Sequence, residues 1–205
     1  MKMIYTLIGL LVIGGFAFYL TSCNNKSNTK EKEEQPPQKP IHKEMIDTSK
    51  NNIYQGLRSR AFNITAEELG VKYSSDENKI YGLIMDWGLD EGTATIVSFI
   101  TGDASIYLSS GGGVIGGSGH ENIRSEAITL INKTEKYLNK TVKSETNPLP
   151  DKDIVNFYFL TTKGRYFGQE QMKNFDNNSS GWMDLFIEVN KLMTELRTTS
   201  PNKED

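Results

Sequence analysis

The chain has 205 residues, of which 37% are hydrophobic and 24% are charged, and its formal net charge is −3 at pH 7. This slightly acidic balance leaves no basic footprint of the kind that nucleic-acid-binding proteins carry. One cysteine and two histidines exclude a disulfide framework and a metal site assembled from these residue types. We therefore expect no metal, no cofactor and no nucleic acid partner.

The first 22 residues have the pattern of a signal peptide. Lys2 supplies a positive charge, and the 17 residues 4–20 that follow contain no charge. The run ends in the motif Leu20-Thr21-Ser22-Cys23, which resembles the lipobox of bacterial lipoproteins. This resemblance implies cleavage before Cys23, a diacylglycerol on its sulfur and a fatty acid such as palmitate on its amine. Two acyl chains suffice for stable membrane anchoring.

An uncleaved membrane helix is the alternative, since roughly 17 to 25 apolar residues can span a bilayer. Residues 23–45 are dense in charge and contain three prolines, so they predict a flexible tether after the lipidated cysteine. The sequence "CNNKSN" lacks the acidic cluster that often follows the cysteine in surface-exported lipoproteins of the Bacteroidetes. By that resemblance the protein faces the periplasm from the outer membrane, and a Gram-positive cell surface is the alternative location.

The rest of the chain predicts a single α+β domain over residues 46–198, followed by a disordered tail at 199–205. Residues 47–70 predict a helix and then a turn that is capped by Thr65 and ended by Gly70. Three runs rich in β-branched and aromatic residues, 79–87, 93–100 and 104–110, predict an antiparallel meander.

A helical period begins near residue 118 and lasts to about 139, and Ser118 with Glu121 predicts a capping box at its start. Residues 154–169 predict two more strands, and apolar residues at helical spacing over 182–196 predict a closing helix. The order α-βββ-α-ββ-α indicates a five-stranded, mainly antiparallel sheet with helices packed on it. In this element order the domain resembles the profilin-like and roadblock-like sandwiches.

A glycine-rich corner separates the third strand from the following helix. Residues 111–116 match the dinucleotide pattern G-x-G-x-x-G, and residues 111–118 match the spacing of a P-loop. Gly117 stands where the P-loop needs a lysine, and no acidic residue ends the next strand to bind a ribose. The corner therefore indicates no nucleotide site. Val114 and Ile115 form its apolar tip, which either packs inward as a plug or projects outward as a contact.

The candidate contact residues lie at or near this corner: Trp87, Gly113, Val114, Ile115 and His120. Residues 81–138, with "MDWG" and "DASIYLSSGGGVIGG", resemble a domain of uncharacterised bacterial proteins, and the resemblance implies no activity. The leading hypothesis is a non-enzymatic, membrane-anchored envelope lipoprotein whose domain binds a protein or a small ligand.

The alternative hypothesis is a hydrolase or transferase that uses Asp86, His120 and Glu121. It requires a carboxylate within hydrogen-bond reach of His120, because a general acid or base must be held close to its partner.

Overall fold

The computed structural model describes residues 50–74 and 76–199. The predicted signal peptide, Cys23, the tether and residues 200–205 lie outside the described residues. The described chain is α+β, with an antiparallel sheet and helices on both of its faces. None of its helices combines the length and the apolar character needed to cross a bilayer.

The helices and strands alternate along the described chain in short groups. The helices are α1 (Lys50–Asn63), α2 (Glu121–Thr134), α3 (Met172–Asp176) and α4 (Met183–Thr199). The strands are β1 (Ile80–Leu89), β2 (Gly92–Phe99), β3 (Ala104–Leu108), β4 (Gly113–Val114), β5 (Val142–Lys143), β6 (Ile154–Thr161) and β7 (Gly164–Gln171). Two 3-10 turns, Gly117–Gly119 and Glu135–Lys140, precede and follow α2.

The strands form one sheet in the order β4-β3-β2-β1-β6-β7-β5, and every neighbouring pair is antiparallel. The predicted α+β class is confirmed, but the prediction of five strands was wrong because the described sheet has seven. The two additional strands, β4 and β5, have two residues each, which is too short to produce an alternating pattern. Both lie at the sheet edges, where short strands limit the unpaired backbone available to other chains.

The central strand β1 sends alternate side chains to opposite faces of the sheet. Ile84 belongs to the core cluster beneath α1, whereas Trp87 packs against Phe186 of α4 with ring centroids 5.6 Å apart. Residues 82–88 are all buried. Strand β1 is therefore covered on both faces, which explains its almost continuously apolar sequence.

Helices α2 and α4 pack side by side on one face of the sheet. Six apolar side chains of α4 are buried there, as the helical spacing predicts: Leu185, Phe186, Val189, Leu192, Met193 and Leu196. Trp182, just before α4, stacks on Tyr137 and on Phe157 at centroid distances of 5.5 and 5.0 Å. Ser98 of β2 donates a hydrogen bond of 3.2 Å to the carbonyl oxygen of Ala127 in α2.

Helix α1 covers the opposite face and crosses the strands. The hydroxyl groups of Tyr54 and Thr95 on β2 are 2.8 Å apart. One turn later Arg58 pairs with Asp86 of β1, and after one more turn Phe62 packs edge-on against Tyr158 of β6 at 5.0 Å. The helix thus runs from β2 across β1 to β6, and its N-terminal end lies toward the β4 side of the sheet.

After α1 the chain makes the predicted capped turn. The backbone N–H of Glu68 donates to the hydroxyl of Thr65, and the backbone N–H of Thr65 donates to the carboxylate of Glu68. Gly70 follows with a positive φ of 71°. This reciprocal pair is a capping box, so the prediction of a turn capped by Thr65 is confirmed.

Two glycine-to-alanine substitutions should shift stability in opposite directions. Gly56 lies in α1, and a Cβ there would meet no heavy atom within 4 Å, so Gly56→Ala should stabilise the domain by about 0.5–1 kcal/mol. A Cβ on Gly88 would collide with the backbone carbonyl of Asp151, so Gly88→Ala should destabilise by about 1–3 kcal/mol. Urea unfolding of both variants measures the two shifts, and shifts of the same sign would contradict this packing.

Candidate functional site

The glycine-rich corner forms an edge strand. After β3 the chain turns back, and the backbone N–H of Leu108 donates to the carbonyl oxygen of Gly112 at 3.1 Å. Gly113 has a φ of 147°, and a Cβ at this position would overlap the carbonyl of Ile106 on β3. Only glycine allows so close an approach with this backbone conformation. Glycine at position 113 therefore allows β4 to pair with β3.

The tip of the corner projects outward. Val114 is half-buried, whereas Ile115 is 63% exposed. The backbone N–H of Gly116 donates to the hydroxyl of Ser105 at 3.4 Å, which returns the chain to β3 directly after the tip. Of the two roles left open for these apolar residues, the position of Ile115 favours a contact over a plug.

The predicted capping box at the start of α2 was wrong. The N-cap of α2 is His120, which makes no side-chain capping hydrogen bond, and Ser118 lies in the 3-10 turn Gly117–Gly119. The glycines on both sides of Ser118 let the backbone make this extra turn, so the helix starts two residues later than the serine would place it. Glu121 lies in the first turn of α2. Its negative charge interacts favourably with the positive end of the helix dipole.

The structure separates the other predicted site residues. Trp87 is buried beneath α4 and does not reach the surface with Ile115. His120 is exposed, and its side chain makes no hydrogen bond or ion pair with any described residue. Asp86 is fully buried, and both of its carboxylate oxygens bond to residues other than His120. The geometry that the hydrolase hypothesis requires is not formed.

A buried ion pair occupies the place where Asp86 lies. Arg58 is 5% exposed, and its Nε and Nη2 donate to Oδ2 of Asp86 at 3.1 and 2.5 Å. Thr95 donates its hydroxyl proton to Oδ1 of Asp86 at 2.5 Å. Because that proton is committed, Tyr54 is the donor in its 2.8 Å hydrogen bond with Thr95. Asp86 therefore accepts from Arg58 through Oδ2 and from Thr95 through Oδ1, and Thr95 accepts from Tyr54.

The same cluster holds the segment 147–148 against the sheet. Arg58 Nη2 also donates to the carbonyl oxygen of Asn147 at 2.8 Å. The hydroxyl of Tyr158 and the amide of Asn156 both donate to the carbonyl oxygen of Pro148, at 2.6 and 3.3 Å. The polar cluster therefore ties α1, β1, β6 and the segment before β6 together.

Burial and neighbouring charges shift the pKa values of the groups in this cluster. Burial raises the pKa of the Asp86 carboxyl, and the bonds from Arg58 and Thr95 oppose that rise. Burial acts to lower the pKa of Arg58, but the hydrogen bond and the charge of Asp86 raise it above its usual range. Burial, with the nearby charge of Asp86, raises the pKa of Tyr158 to about 12. Tyr158 is therefore a neutral hydrogen-bond donor at neutral pH.

A second arginine, Arg165, lies beside this cluster and forms no salt bridge with a described carboxylate. The guanidinium groups of Arg58 and Arg165 lie 4.7 and 4.8 Å from the centroid of the Phe62 ring. Nε and Nη1 of Arg165 are buried and meet no hydrogen-bond acceptor among the described residues. Burial lowers the pKa of Arg165. The cation–π contact with Phe62 is thus its favourable interaction on this side.

Sequence reasoning placed Asp86 near a catalytic site and missed its role in this cluster. One signal was present, because a carboxylate within the apolar run "GLIMDW" has to be paired when the strand is buried. Arg58 sits on the same helical stripe as Tyr54 and Ala61, which is a second signal. The pairing itself depends on how α1 docks on the sheet.

Two open clefts lie beside α2 on the described surface. A shallow cleft of about 190 Å³ lies between α2 and α4, and the ion pair of Lys133 with Glu188, at 3.0 Å, lines it. No three His, Cys, Asp or Glu side chains among residues 50–74 and 76–199 cluster in a way that could hold a metal ion. The exposed tip at Ile115 is therefore the candidate functional site.

In comparisons with known proteins, no family model, no curated protein and no solved structure matches this chain. The functional argument consequently rests on the residues and the geometry of the chain itself.

Removing one partner of the buried ion pair should cost far more stability than replacing both. Asp86→Leu leaves the charge of Arg58 buried and unpaired, so it should destabilise the domain by about 3–5 kcal/mol. The double variant Arg58→Met/Asp86→Leu removes both charges and should recover most of that loss. Free energies of unfolding in urea provide the measurement, with exposed His120→Ala as the control expected to change little. If the double variant loses as much stability as the single variants Asp86→Leu and Arg58→Met lose together, the two residues are not coupled.

Proposed function

We propose that this protein is a lipid-anchored lipoprotein of the bacterial cell envelope, most simply facing the periplasm from the outer membrane. The observation that carries the proposal is the position of Cys23, the sole cysteine, directly after an apolar run and within a lipobox-like motif. A single cysteine in an oxidising compartment cannot form an intramolecular disulfide. Lipidation would account for its presence.

We further propose that the domain acts by binding rather than by catalysis. In support, Asp86 is paired with Arg58 in the interior and no described carboxylate bonds to His120. Ile115, by contrast, is exposed at the end of the β4 edge. The contact surface would comprise Gly113, Val114, Ile115 and His120, without the buried Trp87.

The binding partner would be an envelope component within reach of the anchor. Only 26 residues separate Cys23 from Lys50, the first residue of α1. A protein or a small ligand of the envelope meets this description, and the membrane surface lies within the same reach.

A finer fold assignment, the profilin-like or roadblock-like sandwich, is also a proposal. Its support is an antiparallel sheet that carries α1 on one face and α2 with α4 on the other. Superposition of an experimental structure on members of both groups would test it.

Metabolic labelling with a fatty acid tests the anchor. The native protein should incorporate labelled palmitate and fractionate with membranes, whereas Cys23→Ala should lose the label at an equal level of expression. Equal label in both proteins would sink the lipoprotein proposal. Membrane association without label in either protein would instead indicate the uncleaved membrane helix.

Photo-crosslinking in intact cells tests the binding surface. A photoreactive phenylalanine derivative replaces Ile115 in one variant and Val142 in a matched control, which is 66% exposed on the opposite edge strand β5. The proposal expects an adduct from position 115 and little or none from position 142. Absence of any adduct at position 115, or equal yields at both positions, would contradict a binding role for the tip.

A further inference from the structure

The path of α1 determines on which side of the sheet the helix begins. Tyr54 lies over β2, Arg58 over β1 and Phe62 over β6. The first residues of α1, 50–53, therefore lie farther toward β3 and β4, so α1 begins on the β4 side. The opposite edge, β5, is separated from β4 by five strands.

Two isoleucines, one near the start of α1 and one directly after β4, are exposed. Ile53 near the start of α1 is 60% exposed, and Ile115 after β4 is 63% exposed. Residues 109–119, which include β4 and the tip, contain no Asp, Glu, Lys or Arg. Removing a charged side chain from water has a large unfavourable free energy. This segment can contact an apolar phase without that penalty.

The β5 edge differs in charge and in distance from the start of α1. Val142 is as exposed as the two isoleucines, but Lys140 and Lys143 flank it in sequence. Apolar exposure alone thus does not distinguish the two edges. The uncharged segment 109–119 and the start of α1 on the β4 side both favour the β4 edge as the one that contacts an apolar phase.

The 26 residues between Cys23 and Lys50 limit how far the domain can lie from the membrane that would hold the anchor. Since α1 begins on the β4 side, the path to the membrane is shortest when the β4 edge faces it. Crossing from β4 to β5 adds about 29 Å, at roughly 4.8 Å per strand. Once the anchor is in the membrane, contact of the β4 edge with the same membrane is effectively intramolecular. Even a weak contact is then populated, because the tether gives it a high effective concentration.

We propose that the β4 edge rests on the lipid surface that holds the anchor, with Ile115 and Ile53 dipping into the headgroup region. This inference rests on the proposed lipidation of Cys23. An anchored domain needs only a small apolar contact to orient it, because the acyl chains already provide the affinity.

The depth of fluorescent labels in vesicles tests this orientation. Once Cys23 is lipidated, one added cysteine is the sole free thiol, since the native chain has a single cysteine. The label is placed at Gly119→Cys, where a side chain meets no heavy atom within 4 Å, or at Val142→Cys as the matched control. Lipidated full-length proteins are reconstituted into vesicles of phosphatidylethanolamine and phosphatidylglycerol (3:1), with and without quenchers on the lipid chains.

Lipid-borne quenchers should reduce the emission at position 119 at least about twofold more than at position 142. Adding Ile53→Ser and Ile115→Ser to the Gly119→Cys protein should abolish that difference, because the lipid contact is then lost. Equal quenching at both positions, or quenching unaffected by the serine substitutions, overturns the inference. So does an adduct at position 115 that contains a protein and no lipid.

Vesicle flotation separates this outcome from failure of the proposed function. A protein that floats with the vesicles but shows equal quenching retains the anchor and refutes only the orientation. A protein purified from the native host that does not float has no anchor and refutes both proposals.

Discussion

The buried ion pair between Arg58 and Asp86 is the constraint on which the arrangement of the domain depends. Two charges removed from water gain little net stability, but separating them leaves an unpaired charge in the interior. A shift of α1 by one turn would place Arg58 over a strand position without a carboxylate. The pair thus selects one position of α1 among those that would bury a similar apolar area with Tyr54 and Phe62.

The two faces of the sheet are consequently held by different means. Six buried apolar residues of α4 and the aromatic stack at Trp182 close one face mainly by apolar packing. The face under α1 combines aromatic contacts with a polar cluster that extends through Tyr158 to the carbonyl of Pro148. Arg165 adds a second guanidinium beside the Phe62 ring, 4.8 Å from its centroid.

Much of the sheet could be predicted from the sequence, because β-branched and aromatic runs separated by short turns specify strands locally. The two-residue strands β4 and β5 could not, since they arise from pairing with β3 and β7 rather than from a pattern of their own. The capping box at Ser118 failed for a related reason. Glycine on both sides leaves the backbone conformation to tertiary contacts, and Gly117 packs closely on Ile123 and Leu196.

The positions of Asp86 and Trp87 could be predicted from the local sequence, but their contacts could not. Adjacent residues on a strand face opposite sides, so Asp86 and Trp87 could not share one surface once the strand was recognised. The pairing of Asp86 with Arg58, by contrast, spans 28 residues and follows only from the crossing of α1 over the sheet. That same crossing places the start of α1 on the β4 side of the sheet. The ion pair, which lies three strands away from β4, therefore determines on which side of the sheet α1 begins.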